Sequence, residues 1–276
     1  MEEPAHEIDY GKKWENLGIS NDFIFGKVMQ DAELCKGLLQ RILPNLEIDH
    51  IEYPQAQKSI RPDVDAKSIR IDVYVHDGKG TVYSIEMQAA DTRELPKRTR
   101  YYQSMIDLQM IDKGQHYKQL KPCYIIFICP FDLFGQGRHI YTFENICRED
   151  NHIFLQDGTA KIFLNAQSSR DDVSRELRAF LDYVMGQKSE DAFVKKLEEA
   201  VNAAKQNREW RREYMTLLMR DIENVEKGIE KGEIYGAISV YREIGLPDYE
   251  ISQRIQKKYG LTKDEADSYL QQEKSI

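Results

Sequence analysis

The sequence predicts an α/β fold, with a central sheet of mixed strand direction flanked by helices and a helical C-terminal extension. Three observations predict it. A helix-spaced apolar pattern precedes two strand-like runs joined by a tight turn. A second helix-spaced pattern follows them. A continuous apolar run, Cys123 to Cys129, then reads as a fully buried central strand ended by Pro130. A helix–strand–hairpin–helix–strand order packs helices on a sheet, and the hairpin makes strand directions mixed.

The 276 residues suffice for one large domain or two ordinary ones. Charged residues at 31% and hydrophobic ones at 41% suit a globular protein. The net charge of −8 excludes a molecule that is basic overall, so any nucleic-acid contact must come from a local patch. The cysteines, Cys35, Cys123, Cys129 and Cys147, form no close pair and no zinc-ligand spacing, which suits a reducing cytoplasm. The first residues carry Glu2, Glu3, Glu7 and Asp9, unlike a signal peptide, and no apolar run approaches a membrane span. A cytoplasmic location is expected.

In chain order, residues 1–18 read as an arm and 19–168 as the core domain. Ser20-Asn21-Asp22 offers helix caps, with Asp22 read as the cap itself, and Phe23 to Leu43 recurs at helical spacing until Pro44. Strand and loop are expected around Ile48 to Asp65, then the hairpin. A helix over Thr92 to Lys113 follows, with Tyr101 and Tyr102 read as core residues. After the central strand come strands at His139–Phe143 and Lys161–Leu164. Residues 169–227 form a helical extension. Residues 228–276 combine a charged segment, helix or linker over 226–233, with a small helical unit. Pro247-Asp248 starts one helix of that unit, and Thr262 to Glu265 is a capping box for the next. The last helix is acidic, so packing or self-association into a homo-oligomer suits it better than DNA reading.

The hairpin carries the chemistry. Its strands are Ile71 to His76 and Thr81 to Gln88, joined through Asp77-Gly78-Lys79-Gly80. Alternation puts Ile71, Val73 and Val75 on one face and Asp72 on the other, while Ser84, Glu86 and Gln88 share a face. If Asp77 pairs with Thr81, Asp72 stands opposite Glu86; a two-residue loop slips this by one position. Like charges side by side weaken a sheet but suit a divalent cation, which prefers hard oxygen ligands. Asp72 and Glu86 would supply carboxylates, and the backbone carbonyl of Met87 a third oxygen. Gln88 would orient a water. The plainer reading is a pair of residues on the wet face of a hairpin.

Arg93, Lys97, Arg98 and Arg100 follow the acidic pair and offer a phosphate track; a solvated helix face is the plainer reading. Asp63 and Glu33 are possible additional acids, more simply a turn or strand-start residue and an exposed helix residue.

Several stretches resemble one family in order along the chain. They are Asn21-Asp-Phe-Ile-Phe25, Ile71-Asp-Val73, Ile85-Glu-Met-Gln88 and Arg98-Thr-Arg-Tyr-Tyr-Gln103. Tyr124 to Phe131, Tyr141 to Asn145, Ile162 to Asn165 and Trp210 to Met215 complete the set. Together they resemble the PD-(D/E)XK nuclease family transposases, which include the Rpn recombination-promoting nucleases. The resemblance implies a restriction-endonuclease-like core and DNA cleavage dependent on magnesium or manganese, associated with recombination or mobile elements. Members of the wider superfamily usually carry lysine where Gln88 stands. Lys97 or Arg98, on the next helix, is expected to supply that charge. Two other classes compete: a catalytically weak or inactive DNA-binding accessory of a transposon, and a protein-interaction module acting in defence.

Overall fold

The computed structural model describes residues 14–60 and 69–273. Asp63 therefore lies outside the described residues. Six strands form one sheet in the order β1-β2-β3-β4-β6-β5. They are β1 (Ile51–Ile60), β2 (Ile69–Asp77), β3 (Val82–Met87), β4 (Cys123–Cys129), β5 (Ile140–Phe143) and β6 (Thr159–Asn165). β1–β2, β2–β3 and β5–β6 pair antiparallel, whereas β3–β4 and β4–β6 pair parallel. The apolar run Cys123–Cys129 is thus a central strand with parallel neighbours on both sides, and its residues are buried on both faces except for part of Tyr124.

The expected single helix over the first apolar pattern is two. α1 spans Asp22–Val28 and α2 spans Ala32–Ile42. The break lies where Asp31 turns extended and caps α2, accepting the Glu33 and Leu34 N–H groups at 2.9 and 3.0 Å. Apolar spacing runs through the break because both helices bury one side in the same core. The cap of α1 is Asn21, whose side chain accepts from the Ile24 N–H at 3.2 Å, so Asp22 is not the cap. The segment read as an arm ends in core: Trp14 is buried, touches Phe23 edge to face, and donates from Nε1 to the Lys205 carbonyl.

α3 (Leu95–Met110) follows the hairpin, and Pro96 sits in its first turn, where no intrahelical N–H is needed. Tyr102, Met105 and Ile106 of α3 pack on Val82, Cys123, Ile125, Phe127 and Phe163 of the sheet. Tyr101 points outward and is about a third exposed, contrary to its reading as core. The opposite sheet face is buried as well, through Val73, Val75, Ile85, Ile126 and Ile128. α1 and α2 pack against β1, β2 and α5 (Ala192–Gln206), with α4 (Arg175–Val184) beside them. Cys35, Cys123 and Cys129 are buried free thiols, and Cys147 is half-buried.

The chain divides into two compact units, one ending at Arg211 and one starting at Arg212. α6 runs unbroken over Arg208–Glu243, so the 226–233 segment is helix rather than linker. In the second unit Ile234 and Ile238 of α6 meet Ile251 and Ile255 of α7 (Asp248–Tyr259) and Ala266 and Leu270 of α8 (Lys263–Glu273). Gly260 ends α7 at φ 69°, and Thr262 and Glu265 exchange side-chain hydrogen bonds with each other's backbone N–H as a capping box. Among the described residues, no helix is long and apolar enough to cross a membrane.

Candidate active site

The hairpin register decides where the carboxylates stand. Val73 pairs with Ile85 and His76 with Val82, and the ladder closes with the Asp77 N–H donating to the Thr81 carbonyl at 3.1 Å. The three-residue loop therefore holds, and Asp72 falls opposite Glu86. Asp77 fixes this geometry: its buried carboxylate accepts the Lys79 and Thr81 N–H groups at 2.9 Å each and the Tyr83 hydroxyl at 2.9 Å. A Cβ at Gly78 would come within about 2.5 Å of the exposed side-chain ends of Asp49 and His50, which would have to move aside to admit it.

Asp72 and Glu86 are not on a wet face. They are 7% and 3% exposed, beneath α3 and beside the start of α1. Each carboxylate takes a backbone N–H of the facing strand: Glu86 Oε1 from Asp72 at 3.1 Å, and Asp72 Oδ2 from Met87 at 3.0 Å. Burial pushes the Asp72 carboxyl up to about 7; the Met87 N–H, Arg70 and Arg98 oppose the rise, and the charge of Asp22 adds to it. Burial, then the neighbouring charge of Asp72, raises Glu86 well above the carboxylate range. Asp22 adds to that rise too. Three acidic side chains from β2, β3 and α1 thus share one field. The sequence offered Asp22 only as a cap, because its place beside the hairpin depends on how α1 docks on β2 and β3.

Gln88 lies just past β3, and its backbone N–H donates to the Ile128 carbonyl at 2.9 Å. Its carboxamide is engaged at both ends. Nε2 donates to the Ala90 carbonyl at 2.8 Å, and Oε1 accepts from Arg98 Nη1 at 2.7 Å. The other nitrogen of Arg98 donates to the Tyr102 hydroxyl at 2.9 Å and lies 3.6 Å from Glu86 Oε2. The guanidinium carbon sits 5.3 Å from the ring centre of Phe127. Arg98 is therefore a cation held over the acidic pair, braced by an amide, a phenol and an aromatic ring.

The remaining candidates disperse. Arg93, Lys97 and Arg100 are exposed, with Arg93 in a left-handed turn (φ 56°) ahead of α3. Only Arg98 of the four basic residues turns inward to Glu86 and Gln88. Glu33 is exposed on α2. Among the described residues, no group of three or more His, Cys, Asp or Glu is assembled to hold a metal ion.

A six-stranded mixed sheet with an acidic pair at its hairpin, a following helix and a flanking α1 is the setting in which the family comparison is decisive. The model of the PD-(D/E)XK nuclease family transposases matches residues 20–242. The chain belongs to this family. Neither a curated protein nor a solved structure matches it. Membership implies, at the level of the family, a nuclease- or transposase-related function with DNA as the partner. PD-(D/E)XK nucleases typically use a divalent metal, and the donor set of this chain fits one. Two facing carboxylates, buried and driven toward protonation by their surroundings, are the arrangement a divalent cation relieves, and both offer hard oxygen.

Proposed function

We propose that this protein is a magnesium- or manganese-dependent endodeoxyribonuclease acting in recombination or on mobile elements. The observation that carries the reading is the placing of Arg98 between Gln88 and Glu86. It supplies a fixed positive charge beside the acidic pair, in a protein whose Gln88 has none of its own.

Asp72 and Glu86 would hold the ion. Met87 donates its N–H toward Asp72, and a strand residue's carbonyl leaves on the same side as its N–H, so the Met87 carbonyl is a reasonable third donor. A bound divalent cation supplies Lewis-acid polarisation of the phosphate and a lowered pKa for water. Arg98 then stabilises charge building on the phosphate oxygens. Gln88 acts by holding Arg98 in place. Asp22 tunes the acidic pair through its charge. Arg93, Lys97 and Arg100, exposed around the start of α3, neutralise backbone phosphates and position the strand.

Supercoiled plasmid with magnesium tests this. The native protein is expected to nick it, and Asp72→Ala and Glu86→Ala to abolish nicking. Arg98→Ala is expected to slow nicking by about 10²–10³-fold, in line with loss of one oxyanion donor. Arg98→Lys would recover part of that, while Lys97→Ala weakens DNA binding but keeps the nicking rate at saturating DNA. Equal nicking by the native protein and Asp72→Ala would refute the assignment. Tight DNA binding with no nicking would instead favour the accessory-protein reading, which the absence of a lysine at position 88 supports.

A further inference from the structure

Beyond the acidic pair, the α3 side of the sheet carries a cleft of about 320 Å³ between the first turns of α3 and the β5–β6 edge. That is the lower end of the range of ligand pockets, roughly 300–1,000 Å³. Its wall is aromatic. Phe134, Phe143 and Phe163 touch one another pairwise, with ring centres 4.9, 5.3 and 5.8 Å apart. Phe163 is buried and forms the floor, whereas Phe143 on the edge strand is 44% exposed. Arg100 and Lys161 line the same cleft, together with one carboxylate, Glu144. Asn145 stands on its rim, anchored through Nδ2 on Asp157 at 2.7 Å. The exposed part of Phe143, with two cations against one carboxylate, matches a nucleotide, with its flat base and its phosphate.

The cleft lies on the same sheet face as the candidate active site. Glu86, Phe127, Phe163 and Tyr141 lie in one register row across four strands. Arg98 sits over Phe127, and Phe127 stacks on Phe163 at 5.8 Å. Consecutive residues of α3 serve both places: Arg98 turns to Glu86, and Thr99 and Arg100 line the cleft.

We infer that this cleft binds one unpaired nucleobase of the DNA strand, stacked on Phe143 and Phe134, with the adjoining phosphate met by Arg100 and Lys161. A base inside a duplex has both faces covered by its neighbours, so the cleft selects single-stranded or locally opened DNA. The inference rests on the nuclease reading for its DNA strand, and deepens it by naming the form of DNA.

The test is a binding measurement without divalent metal, so that no cleavage enters. The full-length protein is titrated against a fluorescein-labelled single strand and the same sequence as blunt duplex. A single strand carrying 2-aminopurine reports stacking. The expected result is single-strand binding at least about tenfold tighter than duplex, with 2-aminopurine emission changed on binding. Phe143→Ala is expected to lose about tenfold for the single strand, within the range for loss of one base–aromatic stack, and to leave duplex binding unchanged. Phe143→Leu, which keeps apolar bulk, is expected to lose the emission change. Lys161→Gln is expected to lower the single-strand salt slope by about 0.7. Equal affinity for the two forms, or native-like binding and emission in both Phe143 variants, overturns the pocket. Plasmid nicking that depends on Asp72 would survive that failure. Conversely, selective stacking without any nicking would leave the pocket standing and defeat the nuclease reading.

Discussion

Asp72 and Glu86 face each other under α3 with their charges poorly solvated, and this gives the site a pH signature. A carboxyl whose folded pKa is raised binds more protons in the folded than in the unfolded state. Its stabilising contribution is complete below the unfolded value and is lost as pH rises through the folded one. For Asp72 that window runs from its ordinary 3.8 to about 7. The metal-free protein is therefore expected to lose Tm as pH rises across this window. The loss should be several degrees, since each kcal/mol is worth about 2–4 °C in a domain of 150–250 residues. Asp72→Asn should flatten the slope relative to the native protein, and magnesium at pH 8 should restore Tm. Thermal melts across pH with chelator and with magnesium check this; parallel slopes in the native protein and Asp72→Asn would refute it. At this scale the acids were legible because alternation on a strand is strict. Arg98 was legible only as one of two neighbours, since adjacent helix residues differ by a third of a turn and the sheet chooses between them. Asp22 was not legible, because it meets the pair across a contact that no local pattern encodes.

The hairpin as an element depends on Asp77. A slip of one residue would send Asp72 or Glu86 to the other face. The Asp77 carboxylate resists that slip by taking two turn N–H groups and the Tyr83 hydroxyl. Asp77→Ala leaves these donors without their acceptor. Hydrogen bonds to a charged group contribute about 1.5–3 kcal/mol each, so a loss of at least that size is expected in chemical denaturation. Nicking should fall below what the lost stability explains, measured well under the melting temperature. Native-like nicking in a destabilised Asp77→Ala would show that the register is held by the ladder alone. The strands were legible from the Asp-Gly turn and the alternating pattern, and so was the buried run of β4. The α1–α2 break was hidden because Phe23 to Leu43 keeps apolar residues at helical intervals on both sides of Asp31. The α6 helix runs on through Gly228 and Gly232, both exposed, although each costs about 1 kcal/mol relative to alanine.

Over the whole molecule the charge is −8, so DNA approaches against a repulsive background and must be drawn by the basic residues around α3. Arg93→Ala, Lys97→Ala and Arg100→Ala are each expected to weaken DNA binding alike for all sequences. Each should lower the dependence of log affinity on log salt by about 1 for duplex DNA. Salt titrations of the three variants check this, and an unchanged slope in all three would remove the phosphate track. The division into two units was only partly legible, because α6 carries one helical pattern across the boundary at Arg211. The thiols give the molecule a further property. Burial pushes Cys35, Cys123 and Cys129 up to about 12, which leaves them inert toward alkylating dyes. Cys147 is half-buried, four residues after the end of β5, with its Sγ donating to Glu149 Oε2 at 3.3 Å. A maleimide fluorophore added to the natural protein should therefore attach at one place, two residues along the chain from Asn145 of the proposed cleft, and turn the unmodified sequence into its own optical reporter of DNA capture.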